Sequence, residues 1–310
     1  GRPLTFTKNA GDPLLDLNQF QLGSFFQGDW KTTKNFNLSM GLRYEAQTNV
    51  GDHNNFDPRV GFAYQFTKTL ALRGGMGVFH QRLDIGNVEQ LLRLDGTRQQ
   101  QFVIRFPSFP DPFLNSNGSV APLPPTSIRV MAPGLVTPYN VNSSVSLEKS
   151  LPKGIGLTFS WDSIRGVHLY RSRNINAPLP GLLTRPDPAQ GNVNQLESTG
   201  LYRSNNYTIG FRQTMRNKWN LNVFANYTLG FGRNDTDGPF SLPANNYDLR
   251  SEWGRSGQDL RHRFFTGVNF RMPWQISVNT NVNATSNRAY NITTGFDENG
   301  DTSINDRPSG

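Results

Sequence analysis

The sequence has no cysteine. That excludes a disulfide framework, a cysteine-ligated zinc site, an iron–sulfur cluster and a thiol nucleophile, and it suits an oxidising compartment in which stray thiols are a liability. Nor does any stretch approach the ~18 consecutive apolar residues of a membrane-spanning helix, so a helical membrane protein is excluded. A spanning β-barrel is not excluded, because strands that alternate apolar and polar residues keep the average low; the mean hydropathy is −0.55. Histidine is scarce. His53, His80, His168 and His262 stand far apart, with no HxxxH or HxH pair to nominate a zinc site. There is no G-x-S-x-G elbow, and the glycines of "LRGGMGVF" fall within a strand pattern rather than opening a helix as a phosphate loop does. No catalytic set is expected, and the chain is not read as an enzyme. The start, "GRPLTFTKNAGDPLLDLNQF", lacks the basic segment, apolar core and cleavage site of a signal peptide, so the expectation is a chain that has lost its beginning.

What is present is 310 residues with a formal charge of +8. A positive balance admits nucleic acid, anionic lipid or acidic ligands as partners. Lys and Arg are scattered singly among Asn, Ser and Thr, however, and without a basic run or stripe nucleic acid is not an expected partner.

The dominant pattern is alternation with a period of two, the mark of strands with two unlike faces. In "WNLNVFANYTLGF", Trp219, Leu221, Val223, Ala225, Tyr227, Leu229 and Phe231 share one face. Asn220, Asn222, Phe224, Asn226, Thr228 and Gly230 occupy the other. "WQISVNTNVNA" and "NFNLSMGLRYEAQ" repeat the arrangement, as do "RVGFAYQF", "TLALRGGMGVFH", "YNVNSSVSLEKS", "GIGLTFSWDS", "NNYTIGFRQTM", "RHRFFTGVNFRM" and "NQFQLGSFFQGDW". That makes about ten segments, each near the ~9–11 residues that a tilted strand needs to cross a bilayer.

Connections alternate in length. "KTTK" after Trp30, "TKT" after Phe66, "LPKG" after Ser150, "RNK" after Met215 and "MPW" after Arg271 are short. Long polar excursions cover residues 50–58, 82–138, 171–202, 232–260 and 286 onward. Short turns on one side and long loops on the other are the rhythm of an outer-membrane barrel. Trp30, Trp219, Trp274, Phe36 and Phe66 sit at or beside the short turns, where an interfacial aromatic girdle lies. In "IGNVEQLLRLDG" the spacing of Val88, Leu91 and Leu92 predicts a short amphipathic helix in the longest loop. The proline-rich "FPSFPDPFLNSNGSVAPLPP" after it is expected to stay out of any sheet.

The stretches "LSMGLRYE", "FDPRVGFAY", "LALRGGMGVFHQR", "RGVHLYRSRNINAPLPG", "NNYDLRSEWGRSGQDLRHRF" and "YNITTGFDENGDTSINDRP" resemble in order and spacing the barrel of TonB-dependent outer-membrane receptors, in particular the Oar-like group. The resemblance runs from Leu38 to Pro308. It implies an all-β, antiparallel transmembrane β-barrel of the bacterial outer membrane, with residues 1–310 supplying about ten strands of a plugged barrel of about 22. Further implied are a plug, an N-terminal regulatory-like domain and a TonB box outside this chain, which makes it a fragment. The expected partners are outer-membrane lipid, the TonB-type energising complex and an extracellular ligand. The alternative is a structural or adhesive surface protein that transports nothing.

Two clusters are candidate sites. "NNYDLRSEWGRSGQDLRHRF" offers Arg250, Arg255, Arg261 and Arg263 to fork onto a ligand's carboxylate or phosphate; alternatively its nearly balanced acids and bases tie the loop to the wall. The end, "DENGDTSINDRP", places Asp297, Asn299 and Asp301 as an EF-hand would, then departs from it with Thr302 for the glycine and Pro308 for the closing Glu. Weak calcium ligation by Asp297, Asn299, Asp301 and Asn305 is the expectation there, with no other cofactor. The Asn-rich faces either line a path for polar substrate or pack against a plug and its trapped water.

Overall fold

The computed structural model describes residues 3–115, 117–182, 184–215 and 220–308. In chain order its strands are β1 (Thr5–Gly11), β2 (Gln21–Lys31), β3 (Phe36–Gln47), β4 (Asn55–Thr67), β5 (Leu70–His80), β6 (Gln99–Arg105), β7 (Ile128–Met131), β8 (Tyr139–Leu151), β9 (Ile155–Asn174), β10 (Val193–Met215), β11 (Leu221–Asn234), β12 (Gly254–Arg255), β13 (His262–Arg271) and β14 (Ser277–Thr285); helix α1 (Ile85–Arg93) lies between β5 and β6. Ten strands form one antiparallel meander in the order β2-β3-β4-β5-β8-β9-β10-β11-β13-β14. The ten strands expected from the alternation are these.

The register shows why the sheet holds together as a wall. One continuous row of cross-strand partners reads Phe36, Tyr64, Leu72, Leu147, Phe159, Ile209, Tyr227, Phe264 and Ala284, apolar throughout. The adjacent row, on the opposite face, reads Lys31, Asn37, Ala63, Arg73, Ser146, Ser160, Thr208, Thr228, Arg263 and Thr285. Because the side-chain period is two, a slip of one residue anywhere would move a whole strand's apolar set to the polar side. The apolar face is left uncovered, with Phe159 51% and Ile209 59% exposed.

The short connections do sort to one end. Between β8 and β9, Lys153 (φ 64°) and Gly154 (φ 70°) form a left-handed pair, and Trp274 (φ 66°) with Gln275 (φ 64°) does the same between β13 and β14. Two successive positive φ values match the twist of a tight hairpin. At Gly154 a Cβ would also lie 2.1 Å from the Thr214 carbonyl oxygen, so no other residue fits. Trp30, Phe36 and Phe66 stand at this end, and Trp274 is within its turn, 87% exposed. Trp219 and the predicted turn at 216–218 lie outside the described residues.

Three expected loop boundaries are corrected. β9 continues to Asn174 and β10 begins at Val193, so much of 171–202 is strand; β4 begins at Asn55 and β11 ends at Asn234. Polarity misled here because Arg171 lies opposite Glu197, so charged side chains pair across the ladder instead of facing water. The alternation is also interrupted by register shifts at Gly200 and by the left-handed His168 (φ 59°). The 82–138 excursion contains the expected helix, whose Asp84 side chain accepts from the Gly86 N–H as its cap, but also β6, which pairs with β1, and β7, which runs parallel to β10.

Among the described residues, a conventional core lies at the long-loop end. Leu83, Val88, Leu91, Leu135, Val50, Tyr170 and Leu196 bury one another there, with Leu17, Leu92, Met131 and Phe240 against them. The meander needs none, since its apolar face is its outer surface.

Candidate functional site

Above the sheet, the ends of β9 and β10 and the long loops fold into a cap held by buried charge. Arg171 is 5% exposed, and its guanidinium lies 3.4 Å from Glu197 and 3.5 Å from Asp235 while its Nε donates to Thr199 Oγ1 at 2.9 Å. Arg173 reaches the other oxygen of Glu197 at 3.3 Å. Nearer β3 and β5, Glu45 takes Arg43 and Arg82, and the buried Asp57 accepts from both the backbone N–H and the ring of His80. Tyr139 lies between His80 and His168, its ring centroid 5.3 and 5.9 Å from theirs.

Within the cap opens a cavity of about 870 Å³, walled by Arg171 of β9, the 235–257 loop and the chain's last segment. Its charged lining is balanced: Arg171, Arg255 and Arg307 against Asp235, Asp237 and Glu252. The remaining wall is Asn, Ser, Thr and small apolar residues, with the exposed ring of Tyr290. Polar donors and acceptors beside an open aromatic face suit a large polar ligand rather than a compact ion.

Of the four arginines read from the sequence, the fold brings only Arg255 to this cavity. Arg255 and Arg261 both bond the buried Asp259, at 2.6 and 3.2 Å, and Asp259 accepts from the Gly232 N–H, which fastens the loop to β11. Arg250 lies in an exposed single turn, and Arg263 stands on the polar face of the wall, donating to Asn206 at 2.9 Å. Arg171 and Arg307 were not read as site residues. Arg307 contacts Glu252 at 2.6 Å from 55 residues away, a pairing that no local spacing reveals.

The acidic end forms the cavity's neighbouring wall. Asp297 binds Arg105 at 2.9 Å and caps the Thr302 N–H; Asp301 accepts from the Ser303 N–H and from Asn246; Asp306 accepts from the Glu298 N–H. Asn299 and Asn305 donate to the carbonyls of Ala244, Leu242 and Pro243. Among the described residues no three acid or histidine side chains converge at metal-ligating distance. The stretch is held by its own backbone N–H groups together with Arg105, Asn246 and the carbonyls of residues 242–244.

Burial, reinforced by the charges of Asp297 and Asp306, raises the Asp301 carboxyl to about 6, against the lowering effect of the Ser303 N–H. A carboxyl raised on closure holds its proton more tightly in the closed loop than in the open one. Its contribution therefore favours closure fully below the ordinary value of 3.8 and is lost as pH rises through about 6. Amide exchange of residues 291–308, corrected for intrinsic rates, is expected to be slower at the acid side of that window, and Asp301→Asn to flatten the difference. An unchanged pH profile in the variant would assign the dependence elsewhere.

Residues 49–306 match the outer membrane beta barrel domain family, and residues 4–78 match the TonB dependent receptor-like beta-barrel family. No curated protein matches in sequence. Among solved structures the fold is similar to the outer membrane transporter YddB from Escherichia coli, with a TM-score of 0.64 at 11% identity over 89% of this chain and 34% of that one. It is also similar to the FrpB iron transporter from Neisseria meningitidis, with a TM-score of 0.53 at 12% identity over 85% and 32%. FpvA of P. aeruginosa, solved bound to heterologous pyoverdines, gives 0.51 at 12% identity over 86% and 28%. The chain thus spans about a third of the length of the structures it resembles.

Proposed function

From a chain that belongs to the outer membrane beta barrel domain family, set in the bacterial outer membrane, we infer that these strands and loops form part of the wall and mouth of a TonB-dependent receptor that binds and takes up a ligand from outside the cell. The observation that supports this most is the cap: loops from one end only, folded together by buried ion pairs around a cavity of about 870 Å³. A wall needs no such cap. The lining, balanced in charge and rich in amide and hydroxyl groups, fits a glycan, peptide or chelate better than a free ion. By this reading the energising complex acts through segments beyond these residues, and no side chain here is assigned a catalytic role.

The full-length protein in cells is the test. Uptake of the ligand is expected to stop when the energising complex is deleted while surface binding persists, and Arg255→Ala with Arg307→Ala is expected to weaken binding on the order of tenfold, as for loss of one or two charge-assisted hydrogen bonds. Binding with no energised uptake would replace transport by an adhesive role. Weak calcium ligation by Asp297, Asn299, Asp301 and Asn305 is a proposal of the same kind; Asp297 Oδ1 and Asn305 Oδ1 are the oxygens among them that are buried without a partner. Calorimetric titration at millimolar calcium tests it, and a silent titration removes it.

A further inference from the structure

On the outer, apolar face of β9, β10 and β11 the strands end in arginine. Arg165 is the direct partner of Arg203, Arg203 of Arg233, and Arg233 of Arg255 on β12, whose guanidinium is held by Asp259. The register is unbroken from these back to Phe159, Ile209 and Tyr227, so the three arginines share the face of the apolar row. All three are exposed. Glu197 and Asp235 are engaged by Arg171, and Asp259 by Arg255 and Arg261. Like charges placed directly opposite across strands destabilise a sheet, and strands ~4.8 Å apart hold these three within one head-group's width. The row costs the fold something, and among the described residues no carboxylate forms an ion pair with Arg165, Arg203 or Arg233.

Height gives the missing partner. Arg165 is ten residues from Ile155 at the short-turn end of β9, and Arg233 twelve from Leu221 on β11. At ~3.3 Å per residue and a tilt near 40°, the row stands about 25–30 Å above the short turns, at the top of an apolar band ~25 Å tall. Immediately below it on the same face lie Ser163, Asn205 and Phe231, and the Arg261 guanidinium sits 4.2 Å from the centre of the Phe231 ring. Cationic forks are thus stacked on hydroxyl and amide groups at the level where lipid head groups begin.

We propose that Arg165, Arg203 and Arg233 bind the phosphates of a bisphosphorylated lipid of the outer leaflet. Guanidinium forks match phosphate oxygens in pairs, and two phosphates on one head group neutralise a row of three charges that a single one would not. The lipid's acyl chains then run down Trp161, Tyr207, Phe159 and Ile209. That continuity is why the site takes its phosphate from a lipid rather than from solution.

The full-length protein, folded in detergent, is to be probed by native mass spectrometry with diphosphoryl lipid A and with its fully dephosphorylated form. Each arginine near an anionic surface contributes roughly a factor of five, so Arg165→Gln, Arg203→Gln and Arg233→Gln together are expected to weaken retention of the phosphorylated lipid on the order of a hundredfold. Heat-modifiable gel mobility is expected to be unchanged, because all three side chains are exposed. Arg203→Gln alone, at the centre of the row, serves if the triple variant does not fold, and Arg73→Gln on the opposite face should retain the lipid as wild type does. Equal retention by wild type and variant, or of the phosphorylated and dephosphorylated forms, would overturn the proposal. Full displacement by excess inorganic phosphate would overturn it in favour of a free-anion site.

Discussion

Replacing Arg171 by alanine is expected to open the cap while leaving the wall intact. The guanidinium is buried between Glu197 and Asp235. Removing it strands two carboxylates away from water, and breaking a buried ion pair in this way typically costs about 3–5 kcal/mol. Arg173 still reaches Glu197, so the larger part of the cost falls on Asp235, which also holds the Leu201 N–H at 2.6 Å. Hydrogen exchange at residues 168–174, 193–201 and 235–241 is expected to quicken by roughly a hundredfold to a thousandfold, at about 1.4 kcal/mol per factor of ten. Amides of the apolar row should not change. A combined Arg171→Met, Glu197→Gln, Asp235→Asn variant should recover most of the protection, since it removes the stranded charges together. Equal exchange in wild type and Arg171→Ala would show that the network does not hold the cap.

Ile209→Arg is expected to prevent stable insertion, and Thr208→Arg, one residue away, to be tolerated. Ile209 lies in the apolar row, six residues from Met215 at the short-turn end of its strand. That is near mid-depth of the apolar band, where a lipid-facing arginine costs about 2–4 kcal/mol. Thr208 is on the polar face, where its hydroxyl meets Thr228 at 2.8 Å; the loss there is about one hydrogen bond, ~1 kcal/mol. Refolding of the full-length protein into lipid vesicles, followed by urea titration, separates the two. Similar losses from both substitutions would mean that the faces are wrongly assigned.

The faces could be read without coordinates because they depend only on parity. Each of the ten strands declares an apolar and a polar side within its own residues, and the short turns declare themselves through Lys153, Gly154 and their counterparts at Trp274 and Gln275. What misled was polarity used as a sign of loop. Residues 171–174 and 193–202 are polar strand, and their charges are satisfied by one another across β9 and β10. Strands β1 and β6 were missed for a related reason: "QQQFVIR" alternates weakly and is a strand only because Thr5–Gly11 arrives to pair with it.

The candidate site shows the same division more sharply. A cluster rich in arginine was visible, yet Arg250 and Arg263 point elsewhere and Arg261 is tied down by Asp259, whereas Arg171 and Arg307 reach the cavity from distant segments. Within a strand or a hairpin, neighbours in sequence are neighbours in space, so composition and order by themselves determined an antiparallel wall with one face for lipid and one for water. Which charges meet in the cap is settled by loops from opposite ends of the chain packing together, and which arginines line up above the lipid is settled by the register of three strands. Both depend on contacts between residues far apart in sequence, and only the tertiary structure decides those.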